Sequence, residues 1–182
     1  LKAILDNYPI KKGSLINRNL HPANSIRQID GVWKKLKTPV LGTPITLNDI
    51  EHEVLRKQFD EPRIHVSIVC ASISCPPLRN EAFVGEKLEE QLSDQSKRFV
   101  SNEQNVLYFI TSNGNNDIVL NAIFDWFGED FEGHYSMPGR DTTEGAVLGF
   151  LKAYSPESNH DVLSNPAYAI KYQDYDWSLN EQ

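Results

Sequence analysis

Residues 63–79 read Arg63-Ile-His-Val-Ser-Ile-Val-Cys-Ala-Ser-Ile-Ser-Cys-Pro-Pro-Leu-Arg79, and they gather both cysteines and one of the five histidines around one apolar run. Ile64, Val66, Ile68 and Cys70 alternate with His65, Ser67, Val69 and Ala71. This period of two predicts a strand over 63–70, apolar enough in both registers to lie inside a sheet. The pattern stops at Cys75-Pro76-Pro77, because proline has no amide hydrogen to give to a ladder. Cys75 is therefore read at an element boundary. Pro76 and Pro77 suit the first positions of a helical turn through Asn80, with Cys75 as its N-cap.

Upstream of this stretch, Thr46 opens the clearest helix, T-L-N-D-I-E-H-E-V-L-R-K-Q-F, with Asp49 in the position of a capping-box acid. At 100° per residue Leu47, Ile50, Val54, Leu55 and Phe59 share a face, and Glu51 falls in its middle. A carboxylate among apolar neighbours must be hydrogen-bonded, paired with a cation such as Arg56, Arg63 or Arg79, or shifted to a higher pKa. His52 lies at the edge of that face and Arg56 beyond it. Further upstream, Ser25 caps a short helix carrying Ile26 and Ile29, and Val40 to Ile45 predicts a hairpin or bent strand turning at Gly42-Thr43-Pro44.

Downstream, Ala82 to Val100 reads as a helix with Val84, Leu88, Leu92 and Phe99 along one side. Val106–Ile110 and Ile118–Leu120 flank a hairpin signal at Ser112–Asn116. A short amphipathic helix covers 123–131, a polar loop 132–143 and another helix Gly145–Tyr154. The tail 169–180 alternates like a final strand. Together these elements predict an α+β fold, a single domain over 1–182 with several helices packed on a small, largely antiparallel sheet.

Composition narrows the function. Eighteen basic against 25 acidic residues give a formal charge of −7, and the basic residues are scattered in pairs, which argues against a nucleic-acid surface. No apolar run approaches the roughly 20 residues that span a bilayer. Leu1 already stands in a helical pattern (Leu1, Ile4, Leu5), so the start reads as cut with something missing upstream, and a removed export signal would leave no trace. Two cysteines make no disulfide framework, although Cys70 and Cys75 are near enough to bridge if the loop turns back.

A thiol nucleophile needs a neighbouring imidazole or positive field. Cys75 is the candidate nucleophile, with Cys70 packed inside the strand. His65 is its candidate base, but five strand residues carry the chain about 16 Å from His65 to Cys70, so residues 71–75 must fold back. His52 is the next candidate partner, and Glu51 can orient either imidazole as a third member. The alternative is a small buried Cys75, a hydrogen-bonded core His65 and an ion-paired Glu51. His52, His65, Cys70, Cys75 and Glu51 lack strong metal-ligand spacing, so no metal or other cofactor is expected. His21, His134 and His160 read as solvated loop residues, and Trp126, Phe127, Phe131 and Trp177 as core or pocket wall.

Four ordered motifs carry a resemblance: D-I-E-H-E-V-L-R (49–56), the stretch 63–79, I-F-D-W-F-G-E-D-F (123–131) and Y-Q-D-Y-D-W-S-L-N (172–180). In these the chain resembles the domain-of-unknown-function family numbered 547. The resemblance implies that Glu51, His52, Arg56, His65, Cys75, Pro76, Pro77 and Trp126 occupy signature positions, that a helix rich in Asn and Tyr precedes the chain, and that the protein is exported, but it implies no reaction. The expectation is thus a cysteine-dependent hydrolase or acyl transferase, with a papain-like arrangement in view. Cys75, His65 and Glu51 would be catalytic, and His52, Arg56, Arg79 and Trp126 would hold a small-molecule or peptide ligand. The competing expectation is a non-catalytic binding or structural domain with a buried Glu/His/Arg network. A reachable Cys75 beside an imidazole would favour the first, and a sulfur buried among apolar atoms the second.

Overall fold

The computed structural model describes residues 2–10, 20–109 and 116–180, and the chain packs as two compact units, each built from separated segments. The first comprises Leu1–Glu61, Val69–Cys75 and Asp176–Gln182, and the second Pro62–Ile68 and Pro76–Tyr175. Helices and small sheets make this an α+β fold, as expected.

In the first unit, helix α1 (Lys2–Leu5) contributes Ile4 to a small core with Ile26, Ile29, Val32 and Leu179. A 3₁₀ turn at Ile26–Gln28 is capped by the Ser25 hydroxyl, which accepts the Arg27 amide. Strands β1 (Lys37–Val40) and β2 (Thr43–Thr46) form the expected hairpin in antiparallel register, with Val40 opposite Thr43. Its turn is Leu41-Gly42 rather than Gly42-Thr43-Pro44. Both turn residues have positive φ, +50° and +82°, the combination whose twist matches a two-residue hairpin. Pro44 pairs with Pro39 inside this two-stranded ribbon, where an edge tolerates the missing donor.

The capping box at Thr46 forms as expected. The Thr46 hydroxyl accepts the Asp49 amide at 3.1 Å, and the Asp49 carboxylate accepts the Thr46 amide at 3.4 Å. The helix is not uniform, however. Between α2 (Leu47–Asp49) and α3 (Arg56–Gln58), residues Ile50–Leu55 adopt a π-helix, so the Arg56 amide reaches back five residues to the Glu51 carbonyl. The wider turn invalidates the 100° wheel beyond Ile50, and Phe59 ends outside the core, 55% exposed. Residues 69–75 complete this unit by bonding to 176–180. Ser72 bridges Leu179, Ile73 donates to the Ser178 carbonyl and Asn180 to the Ala71 carbonyl.

In the second unit the predicted strand is absent. Pro62–Val66 is a 3₁₀ helix, with every residue from Pro62 to Ser67 buried. A run apolar in both registers fits a fully buried helical turn as well as an interior strand, and periodicity alone does not separate them. Pro62, with φ fixed near −65°, favours the helical start. The turn expected after Cys75 is also absent, since residues 76–79 have no regular structure and Cys75 caps no helix.

Helix α4 (Leu88–Val100) follows a 3₁₀ turn at Gly85–Lys87 and starts later than expected. Ala82 to Val84 are held outside the helix by the Gln91 side chain, which donates to the Ala82 carbonyl and accepts the Val84 amide. Val84 and Leu88 are consequently exposed, whereas Leu92 and Phe99 point inward beside Gln91 and Gln95. Strands β3 (Val106–Phe109) and β4 (Asp117–Leu120) pair antiparallel as predicted, and residues 110–115 of their turn lie outside the described residues. Helix α5 (Ile123–Phe127) continues into a 3₁₀ turn at Gly128–Phe131. Helix α6 (Thr142–Tyr154) begins earlier than its apolar pattern because the Asp141 carboxylate caps the Glu144 amide at 2.9 Å. A short α7 (His160–Ser164) precedes β5 (Ala169–Tyr172), which pairs in parallel with β4. Of the expected tail strand only these four residues join this sheet, and Leu179 serves the first unit instead. The second core centres on Phe124, whose ring meets those of Phe99, Phe131 and Phe150.

Candidate functional site

Cys75 is delivered by a tight reversal. Ala71 takes φ = +60°, a region that costs a residue with a Cβ and marks a constrained turn. The Cys75 amide then bonds to the Ser72 carbonyl at 3.1 Å. This brings the Cys75 sulfur back to its sister residue, where Sγ accepts the backbone N–H of Cys70 at 2.7 Å. Cys70 Sγ lies 3.1 Å from the Ser72 hydroxyl. Both cysteines are thiols, Cys75 buried at 8% exposure and Cys70 half-buried on the loop, not in a strand. Cys75 thus answers the two expectations in part each way: it is buried, yet its sulfur has a polar donor.

Glu51 and His52 stand on the π-helical segment, a geometry that recurs at functional sites because it re-aims side chains. Burial pushes the Glu51 carboxyl above the usual carboxylate range, opposed by the electrostatic pull of the neighbouring His52 and Arg56 side chains. A raised pKa is one of the three outcomes open to a carboxylate at this position. Arg56 Nη1 lies 3.3 Å from His52 Nδ1; a guanidinium can only donate, so this contact makes Nδ1 the acceptor.

His65 is buried in the second unit at 2% exposure. Its ring stacks on Phe127, with centroids 4.2 Å apart and planes at 10°. Its Nε2 is 2.8 Å from Asp130 Oδ2. Within this unit the carboxylate beside the imidazole is that of Asp130, a residue the sequence reading did not single out. Asp130 was missed, although a signal existed: Ile123, Phe127 and Asp130 fall on one helical face, the same acid-on-an-apolar-face pattern that singled out Glu51.

The remaining expected residues are placed as follows. Arg79 donates to Asp94 at 2.6 Å, to Glu81 at 2.7 Å and to the Gln91 carbonyl and Gln95 side chain at 3.4 Å. These contacts hold the Asp94 and Glu81 carboxyls below their usual range. Arg63 makes a two-pronged pair with Glu89, at 2.6 and 2.7 Å. Trp126 is 46% exposed and its indole leans on Tyr175 at 4.8 Å. His134 is exposed, but His21 departs from the solvated reading: it is half-buried against Arg27 and Trp177, and burial followed by the Arg27 charge lowers its pKa. Among the described residues no group of three His, Cys, Asp or Glu side chains is set to hold a metal, and no helix is long and apolar enough to cross a membrane.

These features define an α+β protein with a thiol-bearing reversal and a buried imidazole–carboxylate pair. Residues 2–100 match the family described as "Protein of unknown function, DUF547", and the chain belongs to that family. The match spans Glu51, His52, Arg56, His65, Cys75 and Arg79, whereas Trp126 and Asp130 lie beyond it. No curated protein and no solved structure matches the chain.

Proposed function

We propose that this protein is a cysteine-dependent hydrolase or acyl transferase, with Cys75 as nucleophile and His65, oriented by Asp130, as base. The observation that carries the reading is the Cys70 amide donating to the Cys75 sulfur. A donor at the sulfur favours the thiolate, the nucleophilic form. In the proposed reaction the thiolate adds to a substrate carbonyl, the tetrahedral intermediate collapses to a thioester, and the imidazolium protonates the leaving group. Water or a second acceptor then takes the acyl group. Glu51, whose carboxyl is pushed up by burial, is the proposed orienting or acidic group. His52, Arg56 and Trp126 are the proposed contacts for a small-molecule or peptide substrate, and Arg79 holds the segment that follows Cys75.

A second reading, a non-catalytic binding or structural domain, draws its support from the burial of Cys75 and His65. Alkylation of the native protein by iodoacetamide across pH, located by mass spectrometry, separates the two. The catalytic reading expects Cys75 to react with a midpoint well below the ~8.5 of an ordinary thiol, and His65→Ala to move that midpoint. Reaction only after unfolding, or a midpoint at the ordinary value, would overturn it.

A further inference from the structure

We propose that Cys70 and Cys75 form a reversible intrachain disulfide, with Cys75 oxidised first and Cys70 the residue that resolves it. The inference does not rest on the hydrolase reading, because a bridge requires only that the sulfurs can meet. The reversal has already brought the Cys75 sulfur to the Cys70 backbone. With Cys75 Sγ 2.7 Å from the Cys70 nitrogen and an N–Cα bond of ~1.46 Å, that sulfur lies within about 4.2 Å of the Cys70 Cα. A rotation of the Cys70 side chain away from Ser72, its neighbour at 3.1 Å, turns its sulfur toward Cys75. Disulfides need a Cα separation of ~4.4–6.8 Å, and this approach is compatible with it. The Ala71 backbone at φ = +60° and the Ser72–Cys75 hydrogen bond hold the loop in the folded-back form, so the approach does not depend on a chance encounter.

The order of events follows from the donor at Cys75. The Cys75 thiolate attacks a hydrogen peroxide oxygen; the O–O bond breaks, hydroxide leaves, and a sulfenic acid forms. The Cys70 thiolate then attacks the Cys75 sulfur, the S–O bond breaks, and the second hydroxide leaves as water after protonation. Two electrons pass from the two sulfurs to the peroxide. Reduction runs through Cys70, the more exposed of the two residues. A dithiol attacks it and expels Cys75 as a thiolate onto the waiting Cys70 amide. In an enzyme of the proposed kind this bridge would switch off the nucleophile without reaching the irreversible oxidation states.

The test is to treat the intact protein with equimolar hydrogen peroxide, block remaining thiols with N-ethylmaleimide and map the peptides. The expected product has lost two hydrogens, links Cys70 to Cys75 and is restored by dithiothreitol. Cys70→Ser should instead trap a dimedone-reactive sulfenic acid on Cys75. Sulfinic acid on Cys75 with Cys70 still open to alkylation, links only between molecules, or no oxidation of either sulfur would each overturn the proposal. Should Cys70→Ser fail to fold by circular dichroism, wild type equilibrated in glutathione buffers decides. Paired loss of both thiols, independent of protein concentration, supports the bridge, and stable mixed disulfides with glutathione overturn it. A bridge that forms in a protein whose Cys75 alkylates like an ordinary thiol would leave this inference standing while the hydrolase reading falls.

Discussion

His65 and Asp130 are joined across 65 positions of sequence by a 2.8 Å contact between Nε2 and Oδ2, with the imidazole lying flat on Phe127. The histidine side chain is fully out of solvent while the carboxylate keeps about a quarter of its surface, 26%. Removing the acceptor leaves a buried ring nitrogen with a weaker partner. Asp130→Asn should destabilise the protein by about 1–3 kcal/mol, seen as a lower urea midpoint with an unchanged slope. If His65 serves Cys75, the same variant should also slow Cys75 alkylation at neutral pH.

Glu51 offers a test with a definite sign. Its folded pKa is raised, chiefly by burial, so the folded state holds the proton more tightly than the unfolded chain. Stability therefore falls as pH rises from the ordinary glutamate value, about 4.3, through the higher folded value. Above that window the ionised, partly buried carboxylate remains a net cost. Glu51→Gln should match wild type at pH 4 and exceed it at pH 8, with the gap in melting temperature opening between them. A constant gap would show that burial of Glu51 is not what the protonation state feels.

Gly149 and Gly85 should respond oppositely to alanine. A Cβ at Gly149, inside α6, would stand 2.7 Å from both the amide nitrogen and the carbonyl oxygen of Ser136. Backbone atoms cannot rotate aside, so Gly149→Ala should cost about 1–3 kcal/mol through overpacking. Gly85, at the 3₁₀ turn before α4, has nothing within 4 Å of the added carbon. Gly85→Ala should be neutral or stabilise by up to about 1 kcal/mol by restricting the unfolded chain. Thermal melts of the two variants side by side check both.

Leu41 occupies a left-handed conformation, φ = +50°, at the tip of the β1–β2 hairpin with its side chain fully in solvent. It gains no packing there and bears the steric cost of a Cβ. Leu41→Asn should therefore stabilise the hairpin by about 0.5–1 kcal/mol, since asparagine tolerates this region. Calorimetry should show a higher melting temperature with no change in the far-ultraviolet spectrum.

Local chemistry was the legible part of the sequence. The Thr46–Asp49 capping box, the Ser25 cap, the β3–β4 hairpin and the α6 core face were all readable because each depends on residues a few positions apart. Pro62–Val66 misled because its burial on all sides erases the distinction between periods. The π-helical turn at Ile50–Leu55 has no signature in residue types, so the face assigned to Glu51 could be named but not its angle. Asp130 was legible in principle, by the argument applied to Glu51. Its partner His65, 65 positions away, was not, since the pairing is a product of tertiary packing. The parallel placement of β5 beside β4 is likewise set by packing at long range and not by the strand's own pattern.

The loop that carries both cysteines is not held by its sequence neighbours alone. Its backbone is stitched to Asp176, Ser178, Leu179 and Asn180, and the Ser74 hydroxyl accepts the Asp176 amide from 102 positions away. The span matched by the family ends at residue 100. A fragment cut to that span would thus carry Cys70, Cys75, Glu51 and His65 while lacking the distant contacts that brace the loop. Contacts of such separation also form late, because their loop must be closed before they gain anything. The bracing of this loop is therefore among the last things a folding chain acquires and among the first that trimming it would remove.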